Sequence, residues 1–255
     1  MSDKNISYGA HRLQRYDVHY DIRKKELKTI FYIHGGSWMS MDKKHYNYIV
    51  KTIAERGYRI ININYRMLPR YDLSTVVTDC ESAVCHAIDT VPGIDTDNLM
   101  IMGDSAGGHL AALIAAKANS GAFRKNIKFK AAAIFYGLLD MDDMIYSDAW
   151  LFKFLTKYFH KETGLYFKEY LTGLSPRKFI NENFPKTFLA SGKVDALNPA
   201  TMSFIKILDE IGIEHSDYIL PEDRKDGLHG FLSYTWLRSS KEALKAVIEF
   251  FEGIN

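Results

Sequence analysis

Short apolar runs of strand length alternate with longer helical patterns along most of this chain of 255 residues. Runs typical of buried parallel strands lie at Thr29 to Ile33, Tyr58 to Asn64, Leu99 to Met102, Ala131 to Tyr136, Thr187 to Ala190 and Asp217 to Leu220. Helical patterns lie at Lys43 to Arg56, Ser74 to Thr90, Ala106 to Asn119, Ala200 to Ile211 and Glu242 to Glu252. This alternation predicts an α/β fold with a mostly parallel, doubly wound sheet. The length suits one domain that spans residues 1–255.

The segment from Tyr16 to Ile22 has a different pattern, because apolar and polar residues alternate strictly along it. Such alternation predicts a half-exposed antiparallel strand, which we place at the edge of the sheet. Near the other end of the chain, Asn198 and Pro199 mark the start of the fourth helix. Ser239 and Glu242 form a capping-box pattern that predicts the start of the last helix.

The charge of the chain is nearly balanced, with 33 Lys and Arg against 31 Asp and Glu and a net charge of +2. This balance gives no reason to expect a nucleic-acid or anionic-membrane partner, so we expect a small molecule. The first residues contain no apolar leader, and no stretch approaches the roughly 18 apolar residues of a membrane span. We therefore expect a cytoplasmic protein. Cys80 and Cys85 suggest neither a disulfide nor a zinc site.

The segment from about 140 to 180 interrupts the alternation, because it contains no clear strand and many aromatic residues. These are Trp150, Phe152, Phe154, Tyr158, Phe159, Tyr166, Phe167 and Tyr170. The pattern indicates a helical insertion. Insertions of this length between core strands are usually functional, so we favour a lid over an apolar site. The alternative is an amphipathic helix pair that packs on the surface.

The sequence Gly103-Asp104-Ser105-Ala106-Gly107 lies between a predicted strand and a predicted helix. In this context Gly-x-Ser-x-Gly is typical of a nucleophile elbow, in which the serine occupies a sharp, strained turn. The flanking glycines let strand and helix approach without clashes of Cβ atoms. The motif alone is weak, since it arises by chance in roughly one chain in ten of this length. Its position between strand and helix makes Ser105 the candidate nucleophile.

A second motif, His34-Gly35-Gly36-Ser37-Trp38, follows the predicted strand that ends at Ile33. Paired glycines at such a site let backbone N–H groups point at a substrate oxygen, as an oxyanion hole requires. We predict Gly35 and Gly36 as donors, with the N–H of Ala106 as the third. Alone, the two glycines would indicate an ordinary turn after a strand.

In this kind of site the nucleophilic serine is followed along the chain first by an acid and then by a histidine that acts as the base. Candidates for both follow Ser105. Asp195 lies on the turn after the strand that ends at Ala190, where its carboxylate would reach the carboxyl edge of the sheet. His229 lies in the glycine-flanked loop 226–231. Glu222 and Asp223 lie in the same connection after the strand that ends at Leu220 and stay open as alternative acids. His109, one helical turn after the serine, is expected to be structural.

Together these motifs resemble those of the hormone-sensitive-lipase-like esterases and the related small bacterial feruloyl and acetyl esterases of the α/β-hydrolase superfamily. The resemblance rests on HGGSW at 34–38, NYR at 64–66, GDSAGGHLA at 103–111, SP at 175–176, GxxD at 192–195 and HGF at 229–231. It implies Ser105, Asp195 and His229 as a catalytic triad and Gly35 and Gly36 as oxyanion donors. The chain departs from the family at Ser37, where a third glycine is common, and in its short N-terminal cap.

The resulting hypothesis is a carboxylesterase that forms an acyl-enzyme on Ser105 and needs neither metal nor cofactor. Trp38 and Tyr65 are candidate walls of the substrate pocket, although both are equally compatible with core packing. Two alternatives stay open. Arylformamidases share these motifs, and plant gibberellin receptors are binding proteins on a similar scaffold. The sequence leaves the oligomeric state open between monomer and homodimer.

Overall fold

The computed structural model describes residues 2–24, 27–141 and 167–254. Eight strands in these ranges form one sheet: β1 (Ser2–Ser7), β2 (Arg15–His19), β3 (Lys28–Ile33), β4 (Tyr58–Ile63), β5 (Leu99–Asp104), β6 (Phe129–Phe135), β7 (Lys186–Gly192) and β8 (His215–Leu220). The α-helices in these ranges are α1 (Asn47–Glu55), α2 (Leu73–Thr90), α3 (Ala106–Asn119), α4 (Phe167–Gly173), α5 (Asn198–Glu210) and α6 (Arg238–Glu252). A 3-10 turn, Lys43–Tyr46, precedes α1. Every predicted strand, and every predicted helix that falls within these ranges, is present.

The strands lie in the order β1-β2-β4-β3-β5-β6-β7-β8. The first two pairings, β1 with β2 and β2 with β4, are antiparallel, and all pairings from β4 to β8 are parallel. The mostly parallel, doubly wound sheet is therefore confirmed. After β3 the chain continues toward one edge of the sheet, and after β5 it continues toward the other edge. The topological switch point of the sheet therefore lies between β3 and β5, which are neighbours. Ligands of open α/β sheets bind at the carboxyl ends of strands at such a point.

Both faces of the sheet are covered by helices. Helices α2, α3 and α5 contribute Val76, Leu113 and Phe204 to one apolar cluster. Helices α1 and α6 contribute Ile53 and Phe251 to a second cluster on the opposite face. In β5, Leu99 and Ile101 point into one cluster and Met100 and Met102 into the other, which is why this part of the strand is apolar throughout.

The first predicted strand forms, but its expected position at the sheet edge is wrong. Strand β2 pairs with β1 on one side and β4 on the other, and its polar residues Asp17 and His19 are buried. Lys43 from the 3-10 turn covers this face, and its Nζ lies 2.8 Å from Asp17 Oδ1. The alternation in the sequence therefore separates an apolar buried face from a polar buried face.

The predicted starts of the last two helices have different outcomes. Helix α5 begins at Asn198 with Pro199 in its first turn, as predicted. Helix α6 begins at Arg238, and the capping box at its start is wrong. The Ser239 hydroxyl donates to the Asp226 carbonyl oxygen at 2.7 Å, while the Ser239 N–H donates to the Asp226 carboxylate at 2.8 Å. Ser239 thus fastens the preceding loop to the helix.

Most of the predicted helical insertion, residues 142–166, lies outside the described residues together with the aromatics from Trp150 to Tyr166. Helix α4 falls within the predicted 140–180 segment. The Tyr170 hydroxyl accepts a hydrogen bond of 2.9 Å from the N–H of Ser74, which ties α4 to the start of α2. Within the described ranges, no helix combines the length and the apolar composition that crossing a membrane requires.

Candidate active site

Ser105 occupies a sharp turn between the end of β5 and the start of α3. Its backbone angles are φ 52° and ψ −119°, a combination that L-residues rarely adopt. Such a conformation costs roughly 1–3 kcal/mol and persists only where the surrounding structure enforces it. The turn presents the Ser105 side chain at the carboxyl end of the sheet.

The glycines of the motif permit this turn to pack against its neighbours. A Cβ atom at Gly103 would lie 2.2 Å from the carbonyl oxygen of Gly107. A Cβ atom at Gly107 would lie 2.0 Å from the carbonyl oxygen of Ile33, at the end of β3. Both positions therefore exclude a side chain, and the start of α3 lies directly against the segment that contains the second motif.

Ser105, His229 and Asp195 form a continuous hydrogen-bonded chain. The Ser105 Oγ lies 2.8 Å from His229 Nε2. His229 Nδ1 lies 3.1 Å and 3.0 Å from the two carboxylate oxygens of Asp195. The Asp195 side chain is fully buried, whereas 38% of the His229 side chain is exposed. This geometry lets His229 accept a proton from Ser105 while Asp195 orients the ring.

Two further contacts hold the acid and the base in place. The N–H of Leu197 donates to Asp195 Oδ1 at 2.8 Å. The ring of Tyr136 contacts the His229 ring edge-on, with centroids 5.0 Å apart. The carboxylate and imidazole are therefore both restrained by groups outside the candidate triad.

The two alternative acids, and the nearby residues Asp226 and His109, have surroundings that differ from those of Asp195. Glu222 and Asp223 are exposed. Asp226 pairs with Arg224 at 2.8 Å and 3.0 Å, and this hydrogen-bonded guanidinium lowers its pKa well below the usual range. His109 is fully buried, its Nε2 lies 2.8 Å from the Leu174 carbonyl oxygen, and burial lowers its pKa to about 4. Asp195 is thus the one of these acids that meets His229.

The structure corrects the expected role of Gly35. Its N–H donates to Asp104 Oδ1 at 2.9 Å and so does not point at Ser105. The chain then turns through residues with positive φ, Gly36 at 109° and Ser37 at 53°. Both residues line the cavity at Ser105, and among the described residues neither backbone N–H has a hydrogen-bond acceptor. The N–H of Ala106 lies in the first turn of α3, where no intrahelical acceptor exists.

The two predicted pocket walls are core residues instead. Trp38 is 3% exposed, and its ring contacts the His109 ring edge-on with centroids 5.3 Å apart. Tyr65 is fully buried, stacks on His34 at 4.4 Å and donates its hydroxyl proton to the His34 carbonyl oxygen at 2.8 Å. Both residues therefore support the loop from behind rather than contacting the cavity.

A cavity of about 430 Å³ opens at Ser105 and His229. The described residues that line it are Gly36, Ser37, Met41, His45, Tyr46, Asp104, Ser105, His229, Gly230, Ser233, Tyr234 and Trp236. Tyr234 and Trp236 contact each other edge-on at 5.3 Å and are 47% and 70% exposed. This pair was not predicted from the sequence, although two aromatics shortly after the candidate histidine were a usable signal.

Asp104, the last residue of β5 and the neighbour of Ser105, is another site residue that was not predicted from the sequence. Its Oδ1 accepts hydrogen bonds from the Tyr32 hydroxyl and the Gly35 N–H, both at 2.9 Å. Its Oδ2 accepts from the Tyr46 hydroxyl at 3.1 Å. Burial raises the pKa of this carboxyl to about 6, although the three donors act in the opposite direction.

The loop from His34 to Asp42 is also fastened at its far end. The Asn64 side-chain oxygen accepts from the N–H of Lys43 at 2.6 Å, and its amide donates to Asp42 at 2.8 Å. The Tyr8 hydroxyl in turn donates to the Asn64 carbonyl oxygen at 2.6 Å. These contacts give Asn64 of the NYR motif a structural role in holding the loop.

Solved structures with the same fold carry esterase names. Esterase B from Lactobacillus rhamnosis, in an inhibited form, superposes with a TM-score of 0.86 at 22% identity over 100% of this chain and 87% of that chain. A truncated carbohydrate esterase from gut microbiota gives 0.81 at 18% identity over 99% and 95%. An esterase from Pyrobaculum calidifontis gives 0.78 at 18% over 94% and 82%. These superpositions establish the α/β-hydrolase fold.

Relatives in sequence are longer proteins. Esterase LipQ of Mycobacterium tuberculosis is 26% identical over 70% of this chain and 44% of its own length. The probable isoprenylcysteine alpha-carbonyl methylesterase ICME of Oryza sativa is 27% identical over 90% and 53%. The arylacetamide deacetylase of Oryctolagus cuniculus is 29% identical over 72% and 50%. The chain therefore spans about half the length of these relatives.

The model of one protein family, BD-FAE, matches residues 17–206. This range includes the motifs around Gly35 and Ser105 and ends after the Asp195 turn. With the relatives above, it confirms the resemblance to hormone-sensitive-lipase-like esterases. Because the match covers most of the 255 residues, the chain belongs to the BD-FAE family.

Proposed function

We propose that this protein is a serine hydrolase that cleaves small carboxylic esters through an acyl-enzyme on Ser105. The observation that carries the proposal is the hydrogen-bonded chain from Ser105 Oγ through His229 to Asp195, with spacings of 2.8 Å and 3.0 Å. The esterase names of the relatives and of the superposed structures support the same activity.

The first half of the reaction is acylation. Ser105 Oγ attacks the ester carbonyl carbon, its proton passes to His229 Nε2, and the carbonyl electrons move onto the oxygen. The N–H groups of Ala106, Gly36 and Ser37 stabilise this oxyanion. The bond to the alcohol oxygen then breaks, and His229 gives its proton to the leaving alcohol. Asp195 stabilises the charged imidazole and keeps its own charge.

Deacylation repeats these steps with water. His229 takes a proton from water as the oxygen attacks the acyl-enzyme carbon, and the same N–H groups stabilise the second oxyanion. The bond to Ser105 Oγ breaks, the proton returns to the serine, and the carboxylic acid leaves. The low exposure of Asp195 favours this proton exchange, since interactions with a buried carboxylate are weakly screened by solvent.

Hydrolysis of aryl amides is a second candidate activity. The arylacetamide deacetylase among the relatives carries this substrate in its name, and Tyr234 with Trp236 offers an aromatic wall beside His229. The same triad chemistry serves both bond types. A non-catalytic binding role is disfavoured by the intact hydrogen-bonded triad.

The test is hydrolysis of p-nitrophenyl esters from acetate to laurate, with an N-formyl aryl amide alongside and Ser105→Ala as the control. We expect serine-dependent ester hydrolysis and labelling of Ser105 by a fluorophosphonate probe. Rapid deformylation with little ester turnover would transfer the assignment to an aryl amide hydrolase. A folded protein that neither labels nor turns over any substrate would support the binding role.

We also propose a cytoplasmic location, a small-molecule ester as the binding partner with no nucleic-acid partner, and a chain that is either a monomer or a homodimer. Cell fractionation tests the first proposal, and light scattering at several protein concentrations separates monomer from homodimer. A membrane-bound fraction would contradict the location.

A further inference from the structure

Asp104 holds together three segments of the site without belonging to the candidate triad. Its carboxylate accepts hydrogen bonds from Tyr32 on β3, from the backbone of Gly35 and from Tyr46 on the 3-10 turn. The residue itself ends β5, immediately before Ser105. One side chain thus joins the strand that carries the nucleophile to the loop that faces it.

The loop touches this carboxylate with its main chain. A Cβ atom at Gly35 would lie 2.7 Å from Asp104 Oδ2 and 2.8 Å from the Asp104 carbonyl oxygen. Because position 35 has no side chain, the loop approaches closely enough for its N–H to reach Oδ1. The direction of the following N–H groups, at Gly36 and Ser37, depends on the peptide plane that this hydrogen bond fixes.

The carboxylate occupies this place at an energetic cost. The residue is 2% exposed, and burial disfavours its charged form, which an apolar side chain of similar shape would avoid. Tyr32 and Tyr46 are themselves buried, at 0% and 2% exposure, so their hydroxyls also depend on this acceptor. Costly buried polar groups of this kind are expected where a precise geometry is needed.

We propose that Asp104 is a positioning residue that holds the Gly35 main chain so that the N–H groups of Gly36 and Ser37 meet the oxyanion. The inference rests on the proposed ester hydrolysis. Asp104 does not exchange protons with the substrate. It acts through the loop, and its loss displaces donors that matter in the transition state more than in the bound substrate.

Three substitutions separate this role from ordinary packing. Asp104→Leu keeps the branched shape and removes both acceptors. Asp104→Asn keeps one oxygen that accepts from the Gly35 N–H and the Tyr32 hydroxyl. Its amide N–H can donate to the Tyr46 hydroxyl oxygen. Tyr32→Phe removes one donor to the same carboxylate and leaves the loop contact intact, so it serves as the matched control.

The measurement is kcat and KM for a short p-nitrophenyl ester, with active enzyme counted by end-point fluorophosphonate labelling. Removing one oxyanion donor lowers kcat roughly 100- to 1000-fold, and displacing the loop that carries the donors should lower kcat by part of this factor. We expect kcat of Asp104→Leu to fall about 10- to 100-fold with KM within about threefold. Asp104→Asn should stay within about fivefold of the wild type and Tyr32→Phe within about twofold.

Other outcomes would overturn the inference. If Asp104→Leu had the wild-type kcat per labelled site, Asp104 would serve only for packing. If kcat fell equally in Asp104→Asn and Asp104→Leu, the charge of Asp104 rather than its positioning of the loop would matter. A rise in KM with an unchanged kcat would also contradict the positioning role. If Asp104→Leu does not fold, Asp104→Ala gives the same comparison. An inactive, unlabelled wild type would instead refute the proposed function.

Discussion

Replacing Asp104 with asparagine should change the pH dependence of stability in a direction that burial determines. Burial raises the pKa of this carboxyl from 3.8 to about 6 in the folded protein. The folded state therefore binds the proton more tightly than the unfolded state. Wild-type stability is then lost as pH rises through the interval from about 4 to 6, and asparagine removes this loss.

The magnitude follows from the shift of about two pKa units. Each unit corresponds to about 1.4 kcal/mol, so the carboxylate lowers the free energy of unfolding by roughly 3 kcal/mol above pH 6. At about pH 4 this contribution is nearly absent. As the pH rises from about 4 to above 6, the free energy of unfolding of Asp104→Asn should therefore increase by roughly 3 kcal/mol relative to that of the wild type.

The assay is urea unfolding followed by the fluorescence of the three tryptophans at several pH values from about 4 to 8. Titrations shared by the two proteins cancel in the difference. Asp223→Asn, at an exposed position, controls for the removal of one negative charge. A difference that stays constant within about 0.5 kcal/mol would refute the reasoning, because the three donors would then offset burial completely.

Three further substitutions test the local geometry. Ser105→Gly should abolish fluorophosphonate labelling and raise the free energy of unfolding by about 1 kcal/mol in urea titrations, since glycine relieves the strain at φ 52°. Gly107→Ala should lower the free energy of unfolding by at least about 4 kcal/mol or prevent folding, because its Cβ would overlap the Ile33 carbonyl oxygen. Circular dichroism shows whether this variant folds. Lys43→Met should lower the unfolding free energy by about 3–5 kcal/mol, because it leaves the buried Asp17 carboxylate without its ion pair. Unchanged urea midpoints in these variants would contradict the respective contacts.

The elements that the sequence predicts well have local causes. The turn at Ser105 follows from two glycines at fixed spacing, and the clashes at Gly103 and Gly107 explain both. Helix α3 begins and ends where its pattern predicts, at Ala106 and Asn119. Apolar runs such as Leu99 to Met102 predict buried strands because both faces of a parallel sheet are covered.

The errors have non-local causes. The position of β2 inside the sheet depends on pairing with Ser2–Ser7, a polar segment that no strand pattern marks. Gly35 loses its predicted role because the Asp104 side chain, distant in sequence, takes its N–H. Ser239 has the residue type of a cap, but its hydroxyl binds the Asp226 carbonyl oxygen. Such competition between partners is not visible in one sequence.

The polar strand β1 also protects the protein against misassociation. Strand β2 is buried along most of its length and would offer an open row of backbone donors and acceptors if β1 detached. Within β1, Asp3, Lys4 and Asn5 are exposed, Asn5 has φ 59°, and the register with β2 shifts between Asp3 and Ile6. Charge and a bulge of this kind discourage a second chain from adding to the edge. Deletion of residues 2–7 should therefore produce aggregation of otherwise folded protein, because the newly exposed β2 edge can pair with another copy.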